Sequence, residues 1–313
     1  MLLFSTFLTL MFYSNIGFFR ELRELYVGTA MSTFTHQYLA TAFISEEEIN
    51  RIMEKNVVPI QTVKSNINEI KLPDNENVDE EDETSVEPDV EVVDLSGSTY
   101  KGKMLIVKDP SRVKLAVTSK LNRRGEKLKD LIDLEFGVGG INASGFLDVE
   151  GHGNGGVPMG IVIKDGKIIH SDNSSTFPII GFNYDNILLV GRYKRSEIES
   201  LNLRDAVSFT PFLIVNGEPQ IKSGNGGWGI QPRTAIGQTI DGKVLMLVID
   251  GRQISSIGAT LKNVQDIMLE YGAYNAANLD GGSSTVMYYM GELMNKPCSS
   301  AGERYLPNAF IIK

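Results

Sequence analysis

The chain has 313 residues, of which 42% are hydrophobic, with a formal net charge of −9 and a single cysteine, Cys298. One cysteine excludes an intrachain disulfide framework and a cysteine-rich zinc site. The negative charge is local, because residues 69–94 contain twelve acidic side chains and one lysine, and the remaining chain is close to neutral. The sequence shows no basic stripe, so nucleic acid is not expected as a partner.

The N-terminus is predicted to anchor the chain in a membrane. Residues 1–19 carry no charged side chain, and as a helix they would span about 28 Å, close to the thickness of a hydrocarbon core. A basic n-region and a good small-residue cleavage site are both missing, which favours an anchor over a cleaved signal peptide. Arg20 and Arg23 follow directly. The positive-inside rule would place that flank in the cytoplasm, so the orientation of the anchor stays open.

Two segments separate this anchor from the main domain. Residues 20–65 are predicted to form a small helical, membrane-proximal element, in which Ser45 and Glu48 make the capping-box pattern that opens a helix. Residues 66–97 are acidic and contain no aromatic side chain. Such a segment cannot bury enough apolar surface to offset its ordering entropy, so it is expected to be a disordered linker that holds the next domain away from the membrane.

Residues 98–313 are predicted to form an α+β domain with a mixed, largely antiparallel sheet and a few packed helices. Many short β-branched segments and few helices, without regular alternation of the two, favour this fold class. Predicted strands include residues 104–107, 113–117 and 309–312. Hairpin turns are indicated by Asp-Gly or Asn-Gly pairs at 165–166, 216–217 and 241–242. Amphipathic helices are predicted over 126–136 and over 260–271, the second between an N-cap at Thr260 and a stop at Gly272.

The sequence NLDGGSST at 278–285 is the strongest candidate for a functional turn. It places Asp280, the glycine pair Gly281 and Gly282, and the hydroxyls of Ser283 and Ser284 between two ordered segments. Paired glycines allow a close approach of the backbone to a ligand, and their N–H groups beside hydroxyls can bind phosphate or sugar oxygens. A tight Asp-Gly turn without a function is the alternative interpretation.

Two arginine-bearing turns favour the functional interpretation. Arg233 lies in PRTAIG, and Arg252 follows Asp250 in the sequence DGR. A hairpin between these segments brings both turns to the same end, where the two arginines can form a fork for a phosphodiester. Guanidinium matches phosphate with two donors and stays charged. The alternatives are two surface arginines and an Asp250 that only caps its turn.

Three further residues are candidates for substrate contact. Asn142 lies in GGINASGF, His152 in a glycine-rich loop, and Trp228 in GGWG just before the arginine turn, where an indole can stack on a sugar ring. The alternatives are a left-handed turn residue for Asn142, a solvated histidine for His152, and simple packing for Trp228. Asp148 and Glu150 are spare carboxylates. The spacing of acidic residues indicates no metal site, so no cofactor is predicted, and dependence on a divalent cation stays open.

Together these motifs resemble the phosphodiester glycosidase family. The resemblance covers about residues 100–313 and rests on the sequences GGINASGF, GVPMGIVIKDGKIIH, PRTAIGQTIDGKVLMLVIDGR and NLDGGSSTVMYY. It implies hydrolysis of a sugar 1-phosphodiester at the anomeric carbon, giving free sugar and a phosphomonoester. The animal member of the family releases N-acetylglucosamine from such a diester. This chain lacks that member's cysteine-rich extensions, so the specific substrate does not transfer.

The implied reaction assigns roles to the candidate residues. A phosphomonoester is a good leaving group, so a clamp of Arg233 and Arg252 would stabilise its developing charge. Asp280 is expected to act as general base or nucleophile on the opposite face. Asp250 is expected to orient an arginine or the sugar. The predicted substrate-binding residues are Asn142, Gly281, Gly282, Ser283, Ser284, His152 and Trp228.

The leading prediction is a membrane-anchored hydrolase with an extracellular catalytic domain, acting on phosphodiester-linked glycans of the cell envelope or of exopolysaccharide. The sequence THQYLATAFISEEEI supports the location, because it resembles the leader of bacterial family members predicted to be anchored at the cell surface. Two alternatives stay open. One is an envelope polysaccharide-binding protein without activity, and the other is a phosphodiesterase that breaks the P–O bond.

Overall fold

The structure is a computed structural model that describes residues 2–33, 36–72, 88–148, 153–299 and 301–313. Its helices are α1 (Leu2–Tyr13), α2 (Gly17–Met31), α3 (Tyr38–Thr41), α4 (Glu46–Asn56), α5 (Leu128–Leu134) and α6 (Leu261–Glu270). Short 3-10 helices cover Pro110–Arg112, Arg195–Leu201 and Gly282–Ser284.

The strands lie between residue 90 and the C-terminus. They are β1 (Val90–Ser96), β2 (Lys101–Val107), β3 (Val113–Val117), β4 (Gly139–Asn142), β5 (Ile161–Lys164), β6 (Lys167–Ser171), β7 (Thr176–Asn183), β8 (Leu188–Lys194), β9 (Leu203–Ser208), β10 (Phe212–Val215), β11 (Glu218–Pro219), β12 (Arg233–Thr239), β13 (Val244–Ile249), β14 (Ala273–Asn278), β15 (Met287–Tyr289), β16 (Glu292–Leu293) and β17 (Asn308–Ile312).

Three sheets form the frame of the domain. The largest has the order β1-β2-β13-β12-β14-β10-β11, and the two five-stranded sheets have the orders β16-β15-β4-β17-β3 and β6-β5-β9-β7-β8. Each pairing between described strands is antiparallel. The predicted α+β class with antiparallel strands and few helices is therefore confirmed, and these sheets are antiparallel rather than mixed.

The core lies where the three sheets face one another, and it draws large apolar side chains from all of them, including Leu105, Ile141, Phe182 and Phe310. Helix α6 covers the other face of the seven-stranded sheet with a second apolar cluster. Because both faces of this sheet are covered, β12 and β13 are buried along their whole length. This two-sided burial explains why the sequence of β13 is continuously apolar rather than alternating.

Local signals in the sequence agree with the structure of this domain. The hydroxyl of Thr260 accepts a hydrogen bond from the Asn263 backbone N–H at 3.1 Å and caps α6, and Gly272, with φ of 76°, ends the helix region. The hairpin between β5 and β6 turns at Asp165 and Gly166, which both have positive φ, as a two-residue turn requires.

The membrane helix predicted over residues 1–19 is wrong. Helix α1 ends at Tyr13 and α2 begins at Gly17. Arg23 in α2 is only 5% exposed, and its guanidinium donates to the carbonyls of Phe12 and Ser14, both at 3.0 Å, at the C-terminus of α1. A cation satisfies these terminal carbonyls, so the two helices fold against each other. In the described residues, no helix has both the length and the apolar character needed to cross a bilayer.

The helical element predicted after this segment is present. Ser45 caps α4 by accepting a hydrogen bond from the Glu48 backbone N–H at 3.3 Å. Helices α2 to α4 share a small apolar core that includes Val27, Ile49 and Ile52.

The linker predicted over residues 66–97 is wrong at both ends, and its central residues 73–87 lie outside the described residues. At the near end, the Lys71 N–H donates to the carbonyl of Ile240 at 2.9 Å. At the far end, β1 pairs along the edge of the seven-stranded sheet with β2. Its valines and leucine form the strand, and Val93 and Leu95 pack on the apolar cluster below α6. Acidic side chains are common on such edges because they discourage pairing with another chain.

Candidate functional site

Antiparallel pairing brings three of the predicted polar turns together at one end of the inner strands β12, β13 and β14 of the seven-stranded sheet. Arg233, the first residue of β12, lies opposite Ile249, the last residue of β13, so Asp250 follows directly beside it. On the other side, Asn278 at the end of β14 lies opposite Ala235. The strands therefore deliver Arg233, Asp250 and the turn that begins at Asp280 to a single region, as the predicted hairpin required.

Asn142 holds the backbone of the Asp280 turn through a side-chain hydrogen bond. It is fully buried at the end of β4. Its Nδ2 donates to the Asp280 carbonyl at 2.6 Å, and its Oδ1 accepts from the Thr234 hydroxyl at 2.8 Å and from the Val286 N–H at 3.1 Å. These bonds occupy both ends of the amide, and no surface of the side chain is available for a sugar. The structure therefore gives Asn142 a supporting position and not the predicted contact with substrate.

The Asp280 carboxyl lies in a poorly solvated position. Its side chain is partly exposed, but burial dominates its electrostatics and raises its pKa to about 7. The Ser284 hydroxyl and the positive charge of Arg304 act in the opposite direction, while the charge of Asp148 raises the pKa further. A carboxyl with such a pKa exchanges a proton near neutral pH, which suits general acid–base catalysis.

The glycine pair after Asp280 shapes a turn that lies against Pro232 and Arg252. Gly282 has φ of 61°, and a Cβ atom at this position would lie 3.4 Å from Nη2 of Arg252. The Gly282 N–H donates to the Pro232 carbonyl at 2.9 Å, which joins this turn to the one that contains Arg233. Glycine at position 282 is therefore favoured by the left-handed backbone, whereas a Cβ atom there would make only an ordinary contact with Arg252.

Arg233 is a buried cation. It is 2% exposed, and its Nε donates to the Ala259 carbonyl at 3.1 Å while Nη2 donates to the carbonyls of Trp228 and Gly229 at 3.0 and 2.7 Å. Burial lowers its pKa to about 9, and the neighbouring charge of Arg252 lowers it as well. The guanidinium is still cationic at neutral pH.

The two arginines are a candidate anion site. Within the described part of the chain, neither Arg233 nor Arg252 has a carboxylate partner. Arg252 is exposed, its Nε donates to Oε1 of Gln231 at 2.8 Å, and its Nη1 lies 4.0 Å from Sγ of Cys298. Two neighbouring cations without a counter-charge, one of them buried, are costly unless an anion binds between them.

Asp250 is beside the site, but its carboxylate serves the neighbouring loop. Its Oδ1 accepts from the Lys296 N–H at 2.9 Å and from Nδ2 of Asn295 at 3.2 Å. Its backbone carbonyl accepts from the Ser256 hydroxyl at 2.7 Å. These contacts agree with the alternative of a capping residue. No bond from Asp250 to an arginine is made among the described residues, and the predicted contact of Asp250 with the sugar stays a prediction.

Trp228 adds an aromatic surface next to the cations. Its indole is 39% exposed and packs edge-on against Phe209, with ring centroids 6.1 Å apart. Its carbonyl accepts the hydrogen bond from Arg233. Because Trp228 is bonded directly to Arg233, its partly exposed ring is suitably placed to pack on the sugar of a sugar phosphate bound at the candidate anion site.

Arg304 is a residue of the site that the sequence did not indicate. Its Nη1 donates to the Ser283 hydroxyl at 3.1 Å, and its Nη2 lies 3.0 Å from a carboxylate oxygen of Asp148. The turn from Asp280 to Ser284 is thus approached by Arg252 at Gly282 and bonded by Arg304, the partner of Asp148, at Ser283. The only sequence signal was the unassigned carboxylate of Asp148.

His152 and Glu150 lie outside the described residues. No group of three or more His, Cys, Asp or Glu side chains in the described ranges is arranged to hold a metal ion.

Comparison with known proteins identifies the family to which these turns belong. A model of the phosphodiester glycosidase family matches residues 136–313, which include Asn142, both arginines and the Asp280 turn. The chain belongs to the phosphodiester glycosidase family.

Two known proteins show how far the similarity extends. The chain is 30% identical over 166 residues to the SPbeta prophage-derived uncharacterized protein YomE of Bacillus subtilis, covering 50% of this chain but only 24% of that protein. The fold is similar to the catalytic domain of zebrafish N-acetylglucosamine-1-phosphodiester alpha-N-acetylglucosaminidase, auto-inhibited by its pro-peptide, with a TM-score of 0.60 and 21% identity. That match covers 73% of this chain and 85% of the zebrafish chain.

Proposed function

We propose that this phosphodiester glycosidase hydrolyses a sugar 1-phosphodiester at the anomeric carbon and releases free sugar and a phosphomonoester. The observation that carries the proposal is that two guanidinium groups without a carboxylate partner among the described residues, those of Arg233 and Arg252, lie at the turn that carries Asp280. A phosphodiester carries one negative charge, and the charge on its phosphate increases as the C1–O bond breaks. Cations that are already in place stabilise this change without reorganisation.

Asp280 supplies the proton transfer in this proposal. Its pKa of about 7 leaves a large fraction of the carboxyl ionised at neutral pH. In one route the carboxylate removes a proton from water as the water oxygen attacks C1, and in the other it attacks C1 itself to form a glycosyl ester that water then hydrolyses to free sugar. In both routes the phosphate leaves with the electrons of the C1–O bond. The departing phosphomonoester needs little protonation, because the two arginines balance its second negative charge.

Trp228 and the Ser283 hydroxyl are proposed to contact the sugar or its phosphate. Trp228 offers a partly exposed indole, and the Ser283 hydroxyl lies in the Asp280 turn, where Arg304 donates to it. The envelope or exopolysaccharide glycan and the extracellular location stay predictions from the sequence. Fractionation of cells that express the protein, followed by detection in each fraction, tests the location.

The reaction is tested by incubating the full chain with UDP-N-acetylglucosamine and a panel of sugar 1-phosphodiesters in ¹⁸O-labelled water. C1–O cleavage places the label in the released sugar, whereas P–O cleavage places it in the phosphate. Label in phosphate would instead establish the phosphodiesterase alternative. Glycan binding without any product would favour the polysaccharide-binding alternative.

A further inference from the structure

One short segment, residues 228–231, contacts both arginines of the anion site. Arg233 donates to the carbonyls of Trp228 and Gly229 at 3.0 and 2.7 Å. Arg252 donates through Nε to Oε1 of Gln231 at 2.8 Å. The orientation of both cations therefore depends on how this segment is supported.

The C-terminal turn of α2 supports the segment from the other side. The Thr29 hydroxyl accepts from the Ile230 N–H at 3.0 Å, and the Ser32 hydroxyl donates to the Trp228 carbonyl at 3.2 Å. A Cβ atom on Gly229 would lie 2.4 Å from the Thr29 nitrogen, so the two backbones are in direct contact. The N-terminal helices thus pack directly behind the anion site, although they precede it by about 200 residues in sequence.

Gln231 connects the two sides through its amide. It is 4% exposed, and its Nε2 donates to the Ser32 hydroxyl at 2.9 Å and to the Thr29 carbonyl at 3.3 Å. The Thr29 carbonyl can only accept, so the NH₂ group must face α2. The amide oxygen then faces Arg252, whose Nε–H can only donate. The helix therefore decides which end of the Gln231 amide meets the arginine.

We propose that Gln231 is a positioning residue through which α2 orients the Arg252 guanidinium for phosphate. This inference rests on the proposed function, because it concerns the same anion site. Arg252 is exposed, and its other side-chain contact in the described chain is the Cys298 sulfur at 4.0 Å. Without the bond to Gln231, the long side chain regains rotamer freedom that must be lost again when phosphate binds.

The test measures the dissociation constant of inorganic phosphate by calorimetry, together with KM and kcat for an active diester. We expect Gln231→Ala to raise the phosphate Kd and KM about tenfold, as for the loss of a hydrogen bond to a charged group. Ser32→Ala should raise both in the same direction by a smaller factor, and Ser32→Thr should restore them because it keeps the hydroxyl. Thr33→Ala is the matched control, since the bonds of the Thr33 hydroxyl to described residues stay within the helical element, to Ala30 and His36.

A double-mutant cycle separates positioning from general support. In an Arg252→Ala background, Gln231→Ala should cause no further loss of phosphate affinity. An equal loss in both backgrounds would overturn the inference and make Gln231 a structural residue. Phosphate binding that is lost in Arg252→Ala but unchanged in Gln231→Ala would overturn it while leaving the proposed function intact. Failure of the folded wild-type protein to bind phosphate or turn over any diester would instead count against the proposed function.

Discussion

The guanidinium of Arg304 lies 3.0 Å from the carboxylate of Asp148, at the edge of the turn that carries Asp280. The pKa of Asp280 depends first on burial and then on the Ser284 hydroxyl, and these two charges come next. Arg304 lowers that pKa and Asp148 raises it. The pair therefore acts in opposite directions on the carboxyl to which we assign the proton transfer.

Substitution of either partner should shift the pH dependence of turnover in opposite directions. Asp148→Asn removes a negative charge and leaves Arg304 unpaired, so the pKa of Asp280 should fall and the acid limb of kcat/KM should move to lower pH. Arg304→Met leaves the Asp148 charge unopposed, so the same limb should move to higher pH. The pH profile of kcat/KM measures both shifts.

Asp133→Asn provides the control for these profiles, because it breaks an exposed i,i+4 pair with Lys129 on α5. This change should leave the acid limb where it is. Shifts of the same sign in Asp148→Asn and Arg304→Met would show that this limb does not report on Asp280.

Asp280→Asn should abolish most turnover and also change stability with pH. Loss of a general base or nucleophile lowers kcat by about 10³-fold.

The native pKa of about 7 lies above the ordinary value of 3.8, so the native state retains a proton that the unfolded state releases. The stability that this proton provides is lost as pH rises from about 4 through 7. Asparagine has no such loss, and we expect the variant to be more stable than wild type at pH 8 by on the order of 2 kcal/mol.

Urea unfolding of both proteins at pH 4.5 and pH 8 checks this second effect. The stability difference should be small at the lower pH and favour the variant at the higher one. A wild-type protein that gains stability relative to Asp280→Asn as pH rises would mean that the carboxylate, and not the acid, is the form stabilised by folding.

The turns of the site could be predicted because their chemistry is local. Glycine pairs, Asp-Gly turns and an arginine at each end of a hairpin are visible in a few consecutive residues, and pairing of β12 with β13 follows from them. The roles of Arg304 and Gln231 could not be predicted in the same way. Arg304 precedes the last strand, and Gln231 acts through a helix about 200 residues earlier, so only the packed chain shows their contacts.

Composition gave wrong predictions for two segments whose structure depends on contacts with distant residues. The apolar residues 1–19 have the composition of a membrane helix, but a buried Arg23 binds the end of α1 and folds the segment into two shorter helices. Strand β1 contains three valines and a leucine beside two acids, but it lies inside an acidic segment. The charge of that segment led to the prediction of a linker. Pairing with β2 supplies hydrogen bonds that composition does not reveal.

Asn142→Ala should destabilise the domain more than it weakens substrate binding. The substitution leaves three groups without their partner: the Asp280 carbonyl, the Val286 N–H and the Thr234 hydroxyl. Loss of these buried bonds costs about 3 kcal/mol in the free energy of unfolding. The Asp280 turn should also loosen, which lowers kcat. Chemical unfolding and steady-state kinetics measure the two effects. Unchanged stability with a raised KM would restore the direct substrate contact that the sequence predicted for Asn142.

Arg252→Ala should affect substrates with a phosphate and leave neutral ones nearly unchanged. Arg252 is exposed and has no carboxylate partner among the described residues, so its loss should leave the melting temperature within the range of an ordinary surface substitution. For a sugar 1-phosphodiester, loss of a cation that binds the leaving group should lower kcat/KM by about 100-fold. For a neutral 4-nitrophenyl glycoside of the same sugar, kcat/KM should stay nearly unchanged, because the leaving group carries no phosphate.

The ratio of the two kcat/KM values therefore isolates the contact with phosphate from any effect on sugar binding. Arg51→Ala is a suitable control, since Arg51 is a half-exposed arginine on α4 that pairs with Glu48. Arg233→Lys should lower the same ratio, because lysine keeps the charge but cannot donate to three carbonyls and present a further N–H to an anion. An equal loss on both substrates in Arg252→Ala would assign this arginine to the sugar, and the phosphate would then need another binding group.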